Sequence, residues 1–114
     1  MAVPISEKWR KEVLWALKNG RGVIEKRPLE RFFETFLDEM PLPGECIDSL
    51  VRVLSDPTIQ GCQLQPNTGQ GEIWEFLFIR KRVAMYGKIE MRLDGRAKIW
   101  SAHSDAGCGI LSCD

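Results

Sequence analysis

The stretch Ile73-Trp74-Glu75-Phe76-Leu77-Phe78-Ile79-Arg80 decides the fold that we expect for this sequence. Its side chains are bulky and apolar at both odd and even positions, and only Glu75 interrupts the run before Arg80. A sheet with one face in water alternates apolar and polar residues, so a strand that is apolar on both sides needs cover on both sides. We therefore expect a strong strand over residues 73–80. Part of its second face would be covered by the chain's own helices, by a second subunit or by a small-molecule ligand.

Two strands are predicted to follow, over residues 86–93 and 96–103, and a short one to precede, within residues 58–65. We expect the last two to form a hairpin through a three-residue loop, residues 93–95, with Gly95 in a left-handed conformation. A two-residue loop would instead place Arg96 and Lys98 on the apolar face. The expected register pairs Met91 with Ala97, Ile89 with Ile99, and Glu90 with Lys98.

This register puts Trp100 on the same face as Tyr86 and Lys88, away from Ile89 and Ile99. Aromatic side chains of the sheet are the surface that we expect to bind a partner or ligand. These residues are Trp74, Phe76, Phe78, Tyr86 and Trp100.

Three helices are predicted ahead of the sheet. Ser6 caps the first, which ends at Asn19-Gly20, and residues 21–27 form a connector. The second begins at Pro28 and carries an apolar stripe to Met40, and the third covers residues 45–54. The predicted fold class is α+β, with three N-terminal helices followed by a mainly antiparallel sheet of three to four strands.

Length and composition predict one globular domain over residues 1–105 and a flexible tail over residues 106–114. The 16 basic and 16 acidic residues exclude a uniformly basic nucleic-acid binder, so nucleic acid is not an expected partner. No apolar run is long enough for a signal peptide or a membrane span. We expect a cytoplasmic protein whose four cysteines are free thiols, with no membrane partner.

His103, the only histidine, is the one candidate catalytic residue, because Asp105 two positions later could orient its imidazole. A metal site would need His103, Asp105, Cys108 and Cys113, whose spacing does not match a zinc knuckle. We therefore expect no metal and no cofactor. The basic run Arg80-Lys81-Arg82 is predicted to be a solvated loop between strands, with contact to phosphate or RNA as the alternative.

Three segments are similar in rhythm to the sheet of the RelE/ParE-type bacterial toxins. They are Trp74-Glu75-Phe76 through Arg80, Tyr86-Gly87-Lys88-Ile89 and Gly95-Arg96-Ala97-Lys98-Ile99. In that family, basic and aromatic residues on such a sheet cleave ribosome-bound mRNA or engage gyrase. The resemblance implies that Arg80, Tyr86, Lys88 and His103 are the positions to test.

Two functions follow from these patterns. The first is a small, bacterial-type, non-enzymatic binding protein that forms a homodimer through its aromatic sheet face and has a small-molecule pocket. The alternative is a small ribonuclease toxin that uses His103 and the basic residues of the sheet.

Overall fold

A computed structural model describes residues 1–36 and 44–104, together with Leu111 and Cys113. It contains three helices and one six-stranded mixed sheet with the strand order β1-β3-β4-β5-β6-β2. The elements in chain order are β1 Val3–Pro4, α1 Glu7–Lys18, β2 Gly22–Ile24, α2 Lys26–Thr35, α3 Gly44–Leu54, β3 Gln60–Leu64, β4 Glu72–Arg80, β5 Val83–Met91 and β6 Ala97–Ser104. The α+β class is therefore confirmed.

The predicted arrangement of these elements was wrong in two respects. The helices are interspersed with strands, and the sheet has six strands instead of three to four. Part of the connector at residues 21–27 forms β2, which pairs in parallel with β6 at the sheet edge. Both β1 and β2 are too short to show a periodic pattern, and long-range pairing with β3 and β6 creates them.

The predicted first and third helices are confirmed. The Ser6 hydroxyl accepts a hydrogen bond from the Trp9 backbone N–H at 3.3 Å, as an N-cap does, and the helix ends at Lys18. Helix α2 begins two residues before Pro28. Residues 37–40 of the predicted second helix lie outside the described part of the chain.

The β4–β5 hairpin turns through Lys81 and Arg82, whose φ angles are 49° and 69°. Two successive residues with positive φ give the turn a twist that matches the two strands. Lys81 and Arg82 thus form the predicted exposed connection between two strands, whereas the prediction was wrong for Arg80, which belongs to β4.

The β5–β6 hairpin has the predicted register, with Ile89 opposite Ile99. Gly95 has a φ of 85°, and the backbone N–H of Arg92 donates to the Arg96 carbonyl at 2.8 Å across the three-residue loop. Beyond Ile99 a bulge shifts the register, so that Lys88 faces Ser101 and Trp100 is the extra residue.

All three helices pack against one face of the sheet, which we call the covered face. Buried side chains from α1, α2 and α3 form one core with it, including Val13, Phe32 and Leu50. The sheet residues in this core are Trp74, Phe76, Phe78, Met85, Ile89, Ala97, Ile99 and Ala102. Residues between these positions along each strand point to the opposite side, which we call the second face.

The expectation of four free thiols was wrong, because Cys62 of β3 forms a disulfide with Cys113, 51 residues later. Only Cys46 is free among the described cysteines, and it is buried. Two residues of the predicted tail are described: Leu111 is buried, and the Cys113 carbonyl accepts a hydrogen bond from the N-terminal amine. The sequence carried no sign of this pairing, because it joins β3 to a residue far along the chain.

None of the helices in the described ranges is long and apolar enough to cross a membrane.

Candidate functional site

The five aromatic residues singled out in the sequence lie on both faces of the sheet. Trp74, Phe76 and Phe78 belong to the covered face and are buried under the helices. Tyr86 and Trp100 lie on the second face and are partly exposed. The β4–β5 register explains the division, because Trp74 pairs with the buried Ile89 and Leu77 pairs with Tyr86.

The second face carries a mixture of aromatic, apolar and charged side chains on its central strands. Its residues on β4, β5 and β6 are Ile73, Glu75, Leu77, Ile79, Ala84, Tyr86, Lys88, Glu90, Lys98, Trp100, Ser101 and His103. We take this surface as the candidate functional site.

A carboxylate, a phenol and an imidazole meet at its centre. Glu75 is only 2% exposed and accepts a hydrogen bond from the Tyr86 hydroxyl at 2.5 Å. The rings of Tyr86 and His103 lie 5.5 Å apart at an angle of 33°. Burial, and then the bond donated to Glu75, raise the pKa of the Tyr86 hydroxyl well above its usual range. Tyr86 therefore stays a neutral hydrogen-bond donor at ordinary pH.

His103 also contacts the backbone beside it. Its Nδ1 lies 2.6 Å from the Ser104 carbonyl oxygen, which can only accept, so Nδ1 carries a proton. In the neutral ring, Nε2 is then the nitrogen that can accept a proton or bind a ligand. Asp105 and Cys108, which the sequence analysis placed beside His103, lie outside the described residues. The described residues contain no cluster of three possible metal ligands.

A second carboxylate, Glu90, is 4% exposed and is held by two donors. The Trp100 indole N–H donates to it at 3.1 Å, and the backbone N–H of Gly71 donates at 2.9 Å. The Lys98 ammonium lies 3.7 Å from the centre of the Trp100 ring and 3.1 Å from Glu25. These contacts fix the Trp100 ring and tie the β3–β4 loop to β5.

A cleft of about 290 Å³ opens between this loop and the strands. Lys88 and Trp100 form one side of it, and residues of β3, β4 and the loop form the rest. Its lining is Leu64, Gln65, Asn67, Gln70, Ile73, Lys88 and Trp100.

The three residues of the basic run do not form one patch. The guanidinium of Arg80 lies 4.3 Å from the centre of the Phe36 ring and donates to the Ser49 hydroxyl at 2.8 Å. The Arg80 side chain is only 11% exposed and pairs with Glu45 at 3.3 Å, which ties α3 to β4. Lys81 and Arg82 are exposed in the turn.

Sequence reasoning missed Glu90 and the loop residues of the cleft. Glu90 is a carboxylate within a half-apolar strand, and this pattern could have indicated a site residue because a buried acid needs hydrogen-bond donors close by. Glu75 gave the same signal within its apolar run. The amide side chains of Gln65, Asn67 and Gln70 gave none, since a polar loop is the common case.

Comparison of the chain with known protein families, with curated proteins and with solved structures found no match.

Proposed function

We propose that this protein is a non-enzymatic binding module that self-associates through the second face of its sheet and holds a small-molecule site there. One observation carries the proposal: the three described helices pack on one face of the sheet, and the opposite face presents the partly exposed side chains of Leu77, Tyr86 and Trp100. Partly exposed aromatic side chains with polar groups around them are typical of an interface.

The buried charges of the second face favour this proposal. Glu75 and Glu90 already accept hydrogen bonds within the face, from the Tyr86 hydroxyl, the Trp100 indole and the Gly71 backbone. A partner could cover these carboxylates while their hydrogen bonds within the face persist, which keeps the desolvation free energy of association small.

The first experiment is size-exclusion chromatography with light scattering over a range of protein concentrations. We expect the mass of a dimer. Ser101→Arg, which adds a charged side chain on the second face without removing a core contact, should give a monomer. Ser55→Arg is the matched control, since Ser55 is exposed after α3. A monomeric wild type at every concentration, or equal behaviour of the two variants, would contradict self-association through this face.

A specific observation keeps the ribonuclease as a second candidate. Of the four positions implied by the toxin resemblance, Tyr86, Lys88 and His103 share the second face, whereas Arg80 is packed between helices and sheet. If this candidate is right, expression of the wild type slows bacterial growth and His103→Ala relieves it. Harmless expression of the wild type would rule it out.

Cytoplasmic location is also part of the proposal, and the disulfide provides its test. Disulfides seldom persist in a reducing cytosol. Cells expressing the protein can be quenched with an alkylating agent before lysis, and the thiols of Cys62 and Cys113 can then be assayed by mass spectrometry. Alkylated cysteines would support the cytoplasm, and an intact bond between them would contradict it.

A further inference from the structure

We propose that the cleft beside Trp100 binds a small carboxylate attached to a flat apolar group, such as an aromatic ring. This inference rests on the small-molecule site in the proposed function and names the chemical class of its ligand. It is carried by the position of Lys88 in a cleft that otherwise offers an indole ring, aliphatic side chains and amides.

Lys88 is the residue in the cleft that favours an anionic ligand. It is half-buried, and it makes no ion pair or hydrogen bond with the described residues around it. The neighbouring charged side chains of the second face each make a polar contact with a residue other than Lys88. Glu75 is bonded to Tyr86, Glu90 to Trp100, and Lys98 to Glu25. Lys88 carries the only charge among the described residues that line the cleft, and a half-buried ammonium favours an anionic partner.

The amide side chain of Gln70 adds a donor for the same ligand. Its Oε1 already accepts the backbone N–H of Asn67 at 2.8 Å, so the group that it can offer is its amide NH₂. An ammonium and an amide donor suit the two oxygens of one carboxylate. Phosphate sites more often use an arginine fork or several backbone N–H groups, and the cleft lining contains no arginine.

The apolar part of the lining defines the rest of the ligand. Ile73 and Leu64 form aliphatic walls, and the Trp100 ring is held in place by its bond to Glu90 and by the ammonium of Lys98. A ring fixed from two sides is a rigid surface on which a flat group can pack at little entropic cost. The volume of about 290 Å³ limits the ligand to a small molecule.

The test uses benzoate as the probe and benzamide as its uncharged counterpart. Binding is followed by two-dimensional NMR on ¹⁵N-labelled protein, through the Trp100 indole N–H signal, which is assigned by its loss in Trp100→Phe. We expect benzoate to shift this signal and to bind about tenfold or more tightly than benzamide, because only benzoate can pair with the ammonium. Both affinities are measured on the wild-type protein, and Trp100→Phe serves only to assign the signal.

Lys88→Met should weaken benzoate binding about 10-fold to 100-fold and remove the preference over benzamide. The control is Lys18→Met, which removes an exposed lysine at the end of α1 and should leave benzoate affinity unchanged. Any of three results would overturn the assignment: benzoate causes no shift, benzoate and benzamide bind equally tightly, or Lys88→Met leaves benzoate binding unchanged.

The oligomeric state separates this inference from the proposed function. A wild-type dimer that ignores benzoate would overturn the ligand class and leave self-association standing. A monomer that binds benzoate through Lys88 would support the ligand class and overturn the dimer.

Discussion

The two faces of the sheet are built from the same strands but are stabilised by different interactions. On the covered face, Phe76 and Ile89 are fully buried in one apolar core with the helices. On the second face, Glu75 and Glu90 are the sequence neighbours of these two residues and are also buried, but hydrogen bonds to polar groups hold them. The difference shows that apolar packing stabilises the covered face, whereas the second face is a fixed polar and aromatic surface.

The largest effect that separates the faces should come from alanine substitutions at neighbouring positions of β4. Phe76→Ala removes a fully buried ring and should lower the free energy of unfolding by about 3–5 kcal/mol. Leu77→Ala, on the second face, should cost clearly less because Leu77 is partly exposed. Denaturant unfolding of both variants measures this, and equal losses would show that the faces do not differ as described.

The disulfide gives the next largest effect. It joins β3 to Cys113 and closes a loop between residues 51 apart, for which the chain-entropy account gives about 4 kcal/mol of stabilisation. A dithiol reductant should therefore lower the stability of the wild type by an amount of that order. Cys113→Ser should show the loss without reductant and no further change with it. A wild type indifferent to reductant would contradict the role of this bond.

Gly87 should have a smaller effect, and it tests how tightly the covered face is packed. A Cβ at this position would lie 2.7 Å from the Phe76 ring, so Gly87→Ala should cost about 1–3 kcal/mol. Gly44→Ala is the matched control, since a Cβ there meets no atom within 4 Å. Thermal unfolding measures the stability of both variants. If Gly87→Ala leaves stability unchanged, the core has room for a methyl group beneath β5.

Alkaline pH should produce the mildest effect and should act on both faces. Burial raises the pKa of the Cys46 thiol to about 12, and burial with the bond to Glu75 raises the pKa of Tyr86. Unfolded thiols and phenols ionise at lower pH than these folded ones, so the unfolded state gains relative stability. The stability from both groups is complete below about pH 9 and is lost as pH rises toward their folded pKa values.

The contributions of the two faces to this alkaline loss can be separated. Cys46→Ala should abolish the loss of stability that begins near pH 9, and Tyr86→Phe should abolish the loss of stability that begins near pH 10. Tyr86 is the only tyrosine, so tyrosinate absorbance in the near ultraviolet follows it directly. Ionisation of Tyr86 in the folded protein at the pH of free tyrosine would contradict its burial and its bond to Glu75.

The sequence was sufficient for the parts of the fold that depend on local patterns. Ser6, the stripe of α3 and the alternation around Ile89 each predicted an element that is present. The hairpin register was also predictable, because only one loop length keeps Lys98 out of the apolar face. Periodicity acts within a few residues, and these features are all of that kind.

What could not be predicted depends on residues far apart in the chain. Strand β2 exists only through its pairing with β6, and Cys62 is bonded to a cysteine 51 residues away. The alternation of β4 showed that Trp74 belongs to a strand with two apolar faces, but Trp74 and Tyr86 of β5 could not be placed on opposite faces before the β4–β5 pairing was known. The cleft was missed for the same reason, since it forms between a loop and side chains of four strands, β3 to β6.

The most direct test of the second face as an interface is a dilution series followed by ¹⁵N NMR. On dilution, we expect signals of Lys88, Trp100 and Ser101 to shift together as the dimer dissociates. The indole signal of Trp15, which is 56% exposed on α1, should stay in place. Two results would contradict self-association through this face. One is that only signals of the helices shift on dilution, and the other is that no signal of the second face shifts while the mass falls from dimer to monomer.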